Sequence, residues 1–386
     1  QGSQDPTQQE SDNDQTEGDM LFKADYVYPH NDQFRLETGF KSTLRWLEND
    51  YTVSELRQGS WVTLPNYNEN FNYDENINAA YGIVAYETGP WSAQMGVRAE
   101  QANIETQLEV SGDKTNKTYV DLFPSANLSY EFNEEQSVQI SYSRRISRPH
   151  HWHLLPFYDY TDSRNRFRGN PNLDPEYSNS YEFTFMQYWE GGSLLSSLYY
   201  RYRLGVIERI QTVIDGATHT LPINMATEKN WGIEVTASQD FDFGLTLNGS
   251  ANYFRASTDG SYEDNNLSRL TTMLFGRLGV QWKFMDNWQT ESSFRYHGPH
   301  KTTQGEQKAM STVDFALARE FLDGNAQLSL NIRDVFNTQK HESIINEQYL
   351  YSRNEFRWRS RTAELTFTYR FNQDDQRGRG GRGGPP

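Results

Sequence analysis

Segments that alternate apolar and polar residues follow one another from Met20 to Phe371, and the connections between them are short and long by turns. Trp91, Ala93, Met95, Val97 and Ala99 oppose Ser92, Gln94, Gly96, Arg98 and Glu100. Leu245, Leu247, Gly249, Ala251 and Tyr253 oppose Thr246, Asn248, Ser250 and Asn252, and Ala363, Leu365, Phe367, Tyr369 and Phe371 close the chain's last such row. Phe34, Leu36, Thr38 and Phe40 form an early row, and Ile77, Ala79, Tyr81, Ile83 and Ala85 read as another apolar row. A period of two is the strand signature, and no segment of comparable strength has a helical period. Short turns are expected at Pro29–Asp32, Thr88–Pro90, Asn133–Gln136, Glu190–Ser193, Asp240–Gly244, Met285–Asn287 and Leu322–Asn325. Longer loops are expected at Leu47–Asn76, Glu105–Tyr119, Ser147–Pro175, Asp215–Thr227, Ser257–Arg269, Gly298–Ala309 and Asn337–Arg359. Strict alternation places all short turns at one rim and all long loops at the other. That is the plan of an up-and-down barrel, and a Greek-key sandwich has no reason to follow it.

Composition then selects the solvent. The chain has 386 residues, a formal net charge of −16 and a mean hydropathy of −0.87. It has no apolar run of about 18 residues, the length a transmembrane helix needs. Yet it carries 24 Tyr, 22 Phe and 9 Trp, a heavy aromatic load for so polar a chain. An all-β, antiparallel, up-and-down transmembrane β-barrel reconciles the two, because only every second residue faces lipid and aromatics gather in two interfacial girdles. With no Cys, disulfide and thiolate chemistry are excluded. The connections imply about fifteen strands. The first, near Met20–Tyr28, and the last, Arg361–Phe371, both run toward the short-turn rim. An odd number with both ends on one side does not close a bacterial barrel, so the expectation is the C-terminal part of a larger barrel of about 22 strands. In that reading residues 1–19 are a polar, acidic loop segment, 20–371 are the barrel portion and 372–386 are a flexible Arg/Gly-rich tail. The tail's Arg377, Arg379 and Arg382 are too few, in so acidic a chain, to point to nucleic acid. The C-terminus is expected in the periplasm of a bacterial outer membrane.

The stretch Ser141–Phe183 carries the most information: a strand, a long aromatic and basic connection, and the next strand. Gly169-Asn170-Pro171-Asn172-Leu173-Asp174-Pro175-Glu176 excludes a helix from the connection's second half. His150, His151 and His153 flank Trp152. Histidines so spaced can ligate a metal or haem iron, but no carboxylate or Cys stands beside them at ligand spacing, so the expectation is packing over the mouth, with no metal and no cofactor. Arg201 and Arg203 lie opposite Leu198, Tyr200 and Tyr202, as in a wall with lipid on one side and a wet lumen on the other. No nucleophile elbow, zincin helix, phosphate loop or nucleophile–base pair is present, so no catalytic residue and no enzyme is expected.

Arg168–Phe183, RGNPNLDPEYSNSYEF, resembles the GNPNLKPE-type segment of TonB-dependent outer-membrane receptors. Tyr142–Pro149, YSRRISRP, is similar to the segment before it, particularly in the outer-membrane β-barrel family common in Bacteroidota. Asn331–Gln339, NIRDVFNTQ, and Phe367–Phe371, FTYRF, resemble the segments that precede and form the final strand. Gly169, Asn170, Pro171, Asn172, Leu173, Pro175 and Glu176 carry the family motif. The resemblance implies a 22-stranded barrel with a plug and a TonB box, neither found in this chain, so that coupling to the TonB complex would need a plug from elsewhere. It implies import of siderophore, haem, cobalamin, or glycan or peptide fragments, with outer-membrane lipid around the barrel and a surface lipoprotein as a possible partner. Ligand contact is then expected from Trp61, His150, His151, Trp152, His153, Phe157, Tyr158 and Tyr160. An uncoupled porin, a surface adhesion or assembly barrel, and a soluble multi-strand binding protein are the alternatives.

Overall fold

A computed structural model describes residues 8–155, 158–159, 164–224, 227–262, 265–347, 350–359 and 361–371. Fifteen strands form one sheet, each paired antiparallel with its neighbour in chain order. They are β1 (Gln9–Pro29), β2 (Phe34–Arg57), β3 (Ser60–Thr88), β4 (Trp91–Leu108) and β5 (Lys114–Asn133). Then follow β6 (Gln136–Ser147), β7 (Glu176–Trp189), β8 (Gly192–Leu204), β9 (Thr227–Asp240) and β10 (Leu245–Asp259). The last are β11 (Arg269–Phe284), β12 (Trp288–His297), β13 (Met310–Phe321), β14 (Ala326–Arg333) and β15 (Thr362–Tyr369). This is the expected up-and-down barrel wall, and every expected short turn falls at one rim of it. Among the described residues β1 and β15 do not pair with each other.

The sheet's two faces differ in chemistry. Tyr181 and Phe183 of β7, Leu198 of β8, Ile233 of β9 and Tyr253 of β10 point outward and are exposed. Arg201, Arg203, Glu228 and Glu234 alternate with them and point inward. Near the short turns the outward aromatics form a girdle. Trp91 and Tyr130 are 4.6 Å apart, Trp282 and Phe284 4.8 Å, and Tyr369 and Phe371 4.5 Å. A second row crosses the upper strands, with Tyr142 4.9 Å from Tyr181 and Tyr181 6.2 Å from Tyr200. Two belts bounding an apolar band are what a barrel wall in a bilayer shows.

Several expectations are corrected. Residues Gln9–Asp19 are not loop; they are the upper half of β1, paired with Arg45–Glu55. The expected loop Leu47–Asn76 is mostly strand, because β2 and β3 continue to a tight turn at Gln58–Gly59, where φ is 51° and 84°. Asp215–Thr227 includes half of a hairpin, Ile207–Ile214 with Ala217–Asn224, and Asn337–Arg359 holds another, His341–Glu347 with Leu350–Phe356. In Gln9–Asp19 both faces are exposed, so no period of two marks the strand; in β2 and β3 one face stays buried, by Leu47, Tyr51, Val53, Phe71 and Tyr73, but polar residues dominate around it. The row Ile77–Ala85 faces the lumen rather than lipid. Val84 pairs with outward Met95 and Ala80 with outward Ala99, so the even residues of β3 face outward. Both rows of β3 are largely apolar, and only its neighbours' register decides between them.

One rung is missing from the wall. β5 and β6 pair from Asn133 and Gln136 up to Ser125 and Ser143. The next residue of β5 is Pro124, which has no N–H to donate, and above it β5 pairs only with β4 while β6 pairs only with β7. A seam opens there.

Leu198→Arg, on the outward face midway along β8, is expected to destabilise the folded barrel by roughly 2–4 kcal/mol. Thr236→Lys, on the inward face of β9, is expected to be near neutral. Denaturant titration of protein folded into lipid vesicles measures both, and equal costs would refute the assignment of faces.

Candidate functional site at the barrel mouth

At the seam the chain leaves β6 and turns inward. Arg148 donates from Nε to the Tyr119 hydroxyl at 2.8 Å and from Nη2 to Glu100 Oε2 at 2.7 Å. Glu100 also accepts from Arg98 Nε at 2.6 Å, so this buried carboxylate lies between two guanidinium groups. A single helical turn, α1 (His151–Leu154), follows. Leu154 is buried against Leu47, Phe71, Tyr73, Ile104 and Leu108 of the inner wall. The connection thus packs against the inner faces of β2, β3 and β4 beside the stretch of wall that lacks a ladder.

The family motif fastens it. Gly169 N–H donates to Leu155 O at 2.7 Å and Asn170 N–H to His153 O at 2.6 Å. A Cβ on Gly169 would lie 2.4 Å from Leu155 O, so only glycine permits this approach. Asn170 Oδ1 accepts from the Asn172 amide at 3.0 Å, forming an Asx-type turn. Leu173 joins the buried cluster around Leu154. Lys117 Nζ then donates to Asn172 O, Leu173 O and Asp174 Oδ1, at 2.8, 2.7 and 2.7 Å. Asn224 Oδ1 accepts from the Asp174 amide at 2.8 Å. Glu176 accepts from the Ile207 amide and from Arg203 Nη2, both at 2.6 Å, and Arg203 Nη1 also reaches Glu228 Oε1 at 2.9 Å. Tyr177 reaches back across the seam, its hydroxyl donating to Asp121 Oδ2 at 2.8 Å. Side chains hold this part of the mouth where the backbone ladder does not. Pro171 and Pro175 line a narrow gap beside Leu154 and Leu173.

Further loops lock onto the hairpin Ile207–Asn224, whose ends hold Asp174 and Glu176. Arg269 and Glu208 pair at 2.6 Å, and Glu208 also accepts from Thr303 at 2.9 Å. Gln304 exchanges two hydrogen bonds with the Gln211 backbone, at 2.7 and 2.8 Å. Ile210, Ile223 and Leu267 are buried together beneath them. A cavity of about 430 Å³ remains between the motif and the tops of β4 and β5, bordered by Phe71, Thr106, Asp113, Arg168, Asn170 and Leu221.

The expected ligand-contact residues separate into two places. Trp152 and His153 meet Arg209: the guanidinium carbon lies 4.5 Å from the Trp152 ring centroid and 5.9 Å from that of Phe167. The Trp152 and His153 rings are 3.8 Å apart, and Arg209 Nη2 lies 3.4 Å from His153 Nε2. Burial, and then Arg209, hold the His153 pKa below its usual value; burial, and then His150, do the same for His151. Burial also lowers Arg209. The structure therefore favours neutral imidazoles here, with Arg209 donating to His153. His150 packs 4.1 Å from His151. Among the described residues no group of three or more His, Cys, Asp or Glu could hold a metal ion. Trp61 stands apart: it pairs with Leu56 at the far tip of the β2–β3 hairpin. Tyr158 is placed by its backbone pairing with Arg168, while Phe157 and Tyr160 lie outside the described residues. Lys117, Tyr119, Glu100, Asn224 and Arg209 are not in the expected set. Each comes from another strand or loop, and no local pattern marks it.

The sheet and the inward-folded loop layer define a membrane-spanning β-barrel wall closed over at one rim. The sequence pattern of the outer membrane protein beta-barrel family matches residues 1–369. The chain belongs to that family. It shares its fold with the copper transporter OprC (TM-score 0.65, 14% identity, 95% of this chain and 58% of that one). It also resembles the ferric citrate transporter FecA in its unliganded form (0.67, 12%, 96% and 56%) and the ferric yersiniabactin uptake receptor FyuA from Yersinia pestis (0.65, 11%, 94% and 55%). The chain thus spans under three fifths of the length of these solved structures. A sequence search of curated proteins gave no match.

Lys117→Met removes the ammonium that holds two carbonyls and a carboxylate, a loss of roughly 1.5–3 kcal/mol for the loop. Amide exchange at residues 170–173 should then accelerate about ten- to hundredfold, while that of β8 stays unchanged; unchanged exchange in the loop would refute the fastening role. Acid should loosen the same layer. The freed loop takes up protons at His151 and His153 near pH 6.5, the packed loop only below that, so its stability is full above about pH 6.5 and falls as pH drops through that value. Amide exchange measured from pH 7.5 to 5 should show this, and His151→Gln with His153→Gln should abolish it.

Proposed function

We propose that this chain is the barrel wall of an outer-membrane receptor that takes up a nutrient by TonB-dependent transport. The observation that carries the reading is a loop layer fastened over the mouth of a charge-lined lumen, on a fold shared with metal and siderophore transporters. The long-connection rim faces the cell exterior and the C-terminus the periplasm. A plug inside a barrel of about 22 strands would couple the wall to the TonB complex. A ligand bound over Trp152, His153, Arg209 and the cavity beside Asn170 would pass inward when that plug moves. Metal chelates are the cargo class that the neighbours' names favour; cobalamin and glycan or peptide fragments are kept for test, and a surface lipoprotein is a candidate partner. An uncoupled porin or adhesion barrel would have less use for so many side-chain ties at the mouth.

Deleting the coding sequence should lower energised uptake of at least one iron chelate, haem, cobalamin or oligomer, and a protonophore should lower it equally in the parent strain. Unchanged uptake across that panel, or uptake indifferent to the protonophore, would refute the reading.

A further inference from the structure

The outward face of β6–β10 carries a feature that transport does not use. Tyr142, Tyr181, Tyr200 and Trp231 stand directly opposite one another across four strands. Toward the short turns the wall beside them is hollow, an open groove of about 630 Å³ bordered by Met95, Leu128, Ile140, Phe183 and Leu198. One rung toward the long connections lies a second row, Arg144, Asn179, Tyr202 and Lys229, and Arg255 pairs directly with Trp231. Two cations, Arg144 and Lys229, therefore sit one rung above an aromatic row and an apolar groove, and a third, Arg255, sits in that row beside Trp231.

The charges on this face lack acidic partners among the described residues. No ion pair engages Arg144, Lys229 or Arg255 among the described residues, whereas the inward Arg98, Arg148 and Arg203 are all paired with glutamates. Arg144 lies 5.2 Å from the Tyr177 ring centroid, and its Nε is buried with no hydrogen-bond partner. The outward rows of β6, β7, β8 and β9 contain no Asp or Glu at all, in a chain of net charge −16. Cations facing lipid are tolerated near the interface and costly at the midplane. This row therefore marks the headgroup level, and the anions that balance it come from the bilayer.

We propose that this face is a specific site for a phosphorylated, multiply acylated lipid of the outer leaflet. Arg144, Lys229 and Arg255 hold its phosphates, Tyr142, Tyr181, Tyr200 and Trp231 flank its polar backbone, and its chains lie in the groove along Ile140, Phe183 and Leu198. The choice of leaflet rests on the orientation given under the proposed function; the binding chemistry does not.

The test is lipid retention by the detergent-purified protein, counted by native mass spectrometry. The probes are a bisphosphorylated acylated disaccharide lipid, its dephosphorylated form and inorganic phosphate. The phosphorylated lipid should bind, the dephosphorylated form should bind far less, and inorganic phosphate should not displace the lipid at equal concentration. Each of Arg144→Gln, Lys229→Gln and Arg255→Gln should weaken binding about fivefold, and the three together roughly hundredfold. Heat-modifiable gel mobility checks folding, and Arg319→Gln, on an outward row beyond this face, should leave binding unchanged. Equal retention of both lipids would reduce the face to ordinary annular contact and overturn the proposal, as would full retention by the triple variant or displacement by phosphate alone. The assay involves no transport, so its failure and a failure of uptake are read separately.

Discussion

A backbone crossing hydrocarbon has no water to satisfy its N–H and C=O groups, and everything in this molecule depends on that constraint. Strand pairs with strand without interruption across the apolar band, and register fixes which residues meet lipid. Thus Val84 faces outward because it pairs with Met95, although Ile83 beside it is at least as apolar. The interruption above Ser125 and Ser143 is backed from inside by a connection tied down through Arg148 and Lys117, and bridged by Tyr177. Wall and loop are therefore complementary: the loop supplies side-chain bonds where proline removes a backbone one.

The same economy of parts shapes the mouth. The residues of the family motif are occupied with structure. Asn170 closes a turn, Gly169 admits a carbonyl, and Glu176 joins an amide to Arg203. The Trp152–His153–Arg209 group and the adjacent cavity stand apart from these ties.

The sequence and the structure agree where physics is local. Turn chemistry marked the seven short connections of one rim, and the period of two marked strands such as β4, β10 and β15. The period vanished in Gln9–Asp19 and around Arg57, where both faces are wet, so those strands read as loop. The seam was not read from the sequence: Pro124 gains its meaning only from the register, in which it follows the last β5–β6 pair. The site was less legible still. Lys117 and Arg209 lie 55 or more residues from what they hold, and only the folded chain brings them together.

The seam also has a mechanical consequence. Above Pro124 the wall consists of two panels, β1–β5 and the strands from β6 onward, joined at that height by the ties of one loop and by the Tyr177–Asp121 bond from β7 to β5. Lifting the loop would leave that one bond to hold the rim, without any strand leaving its ladder. Occupancy of the mouth and girth of the opening are then two readings of one hinge.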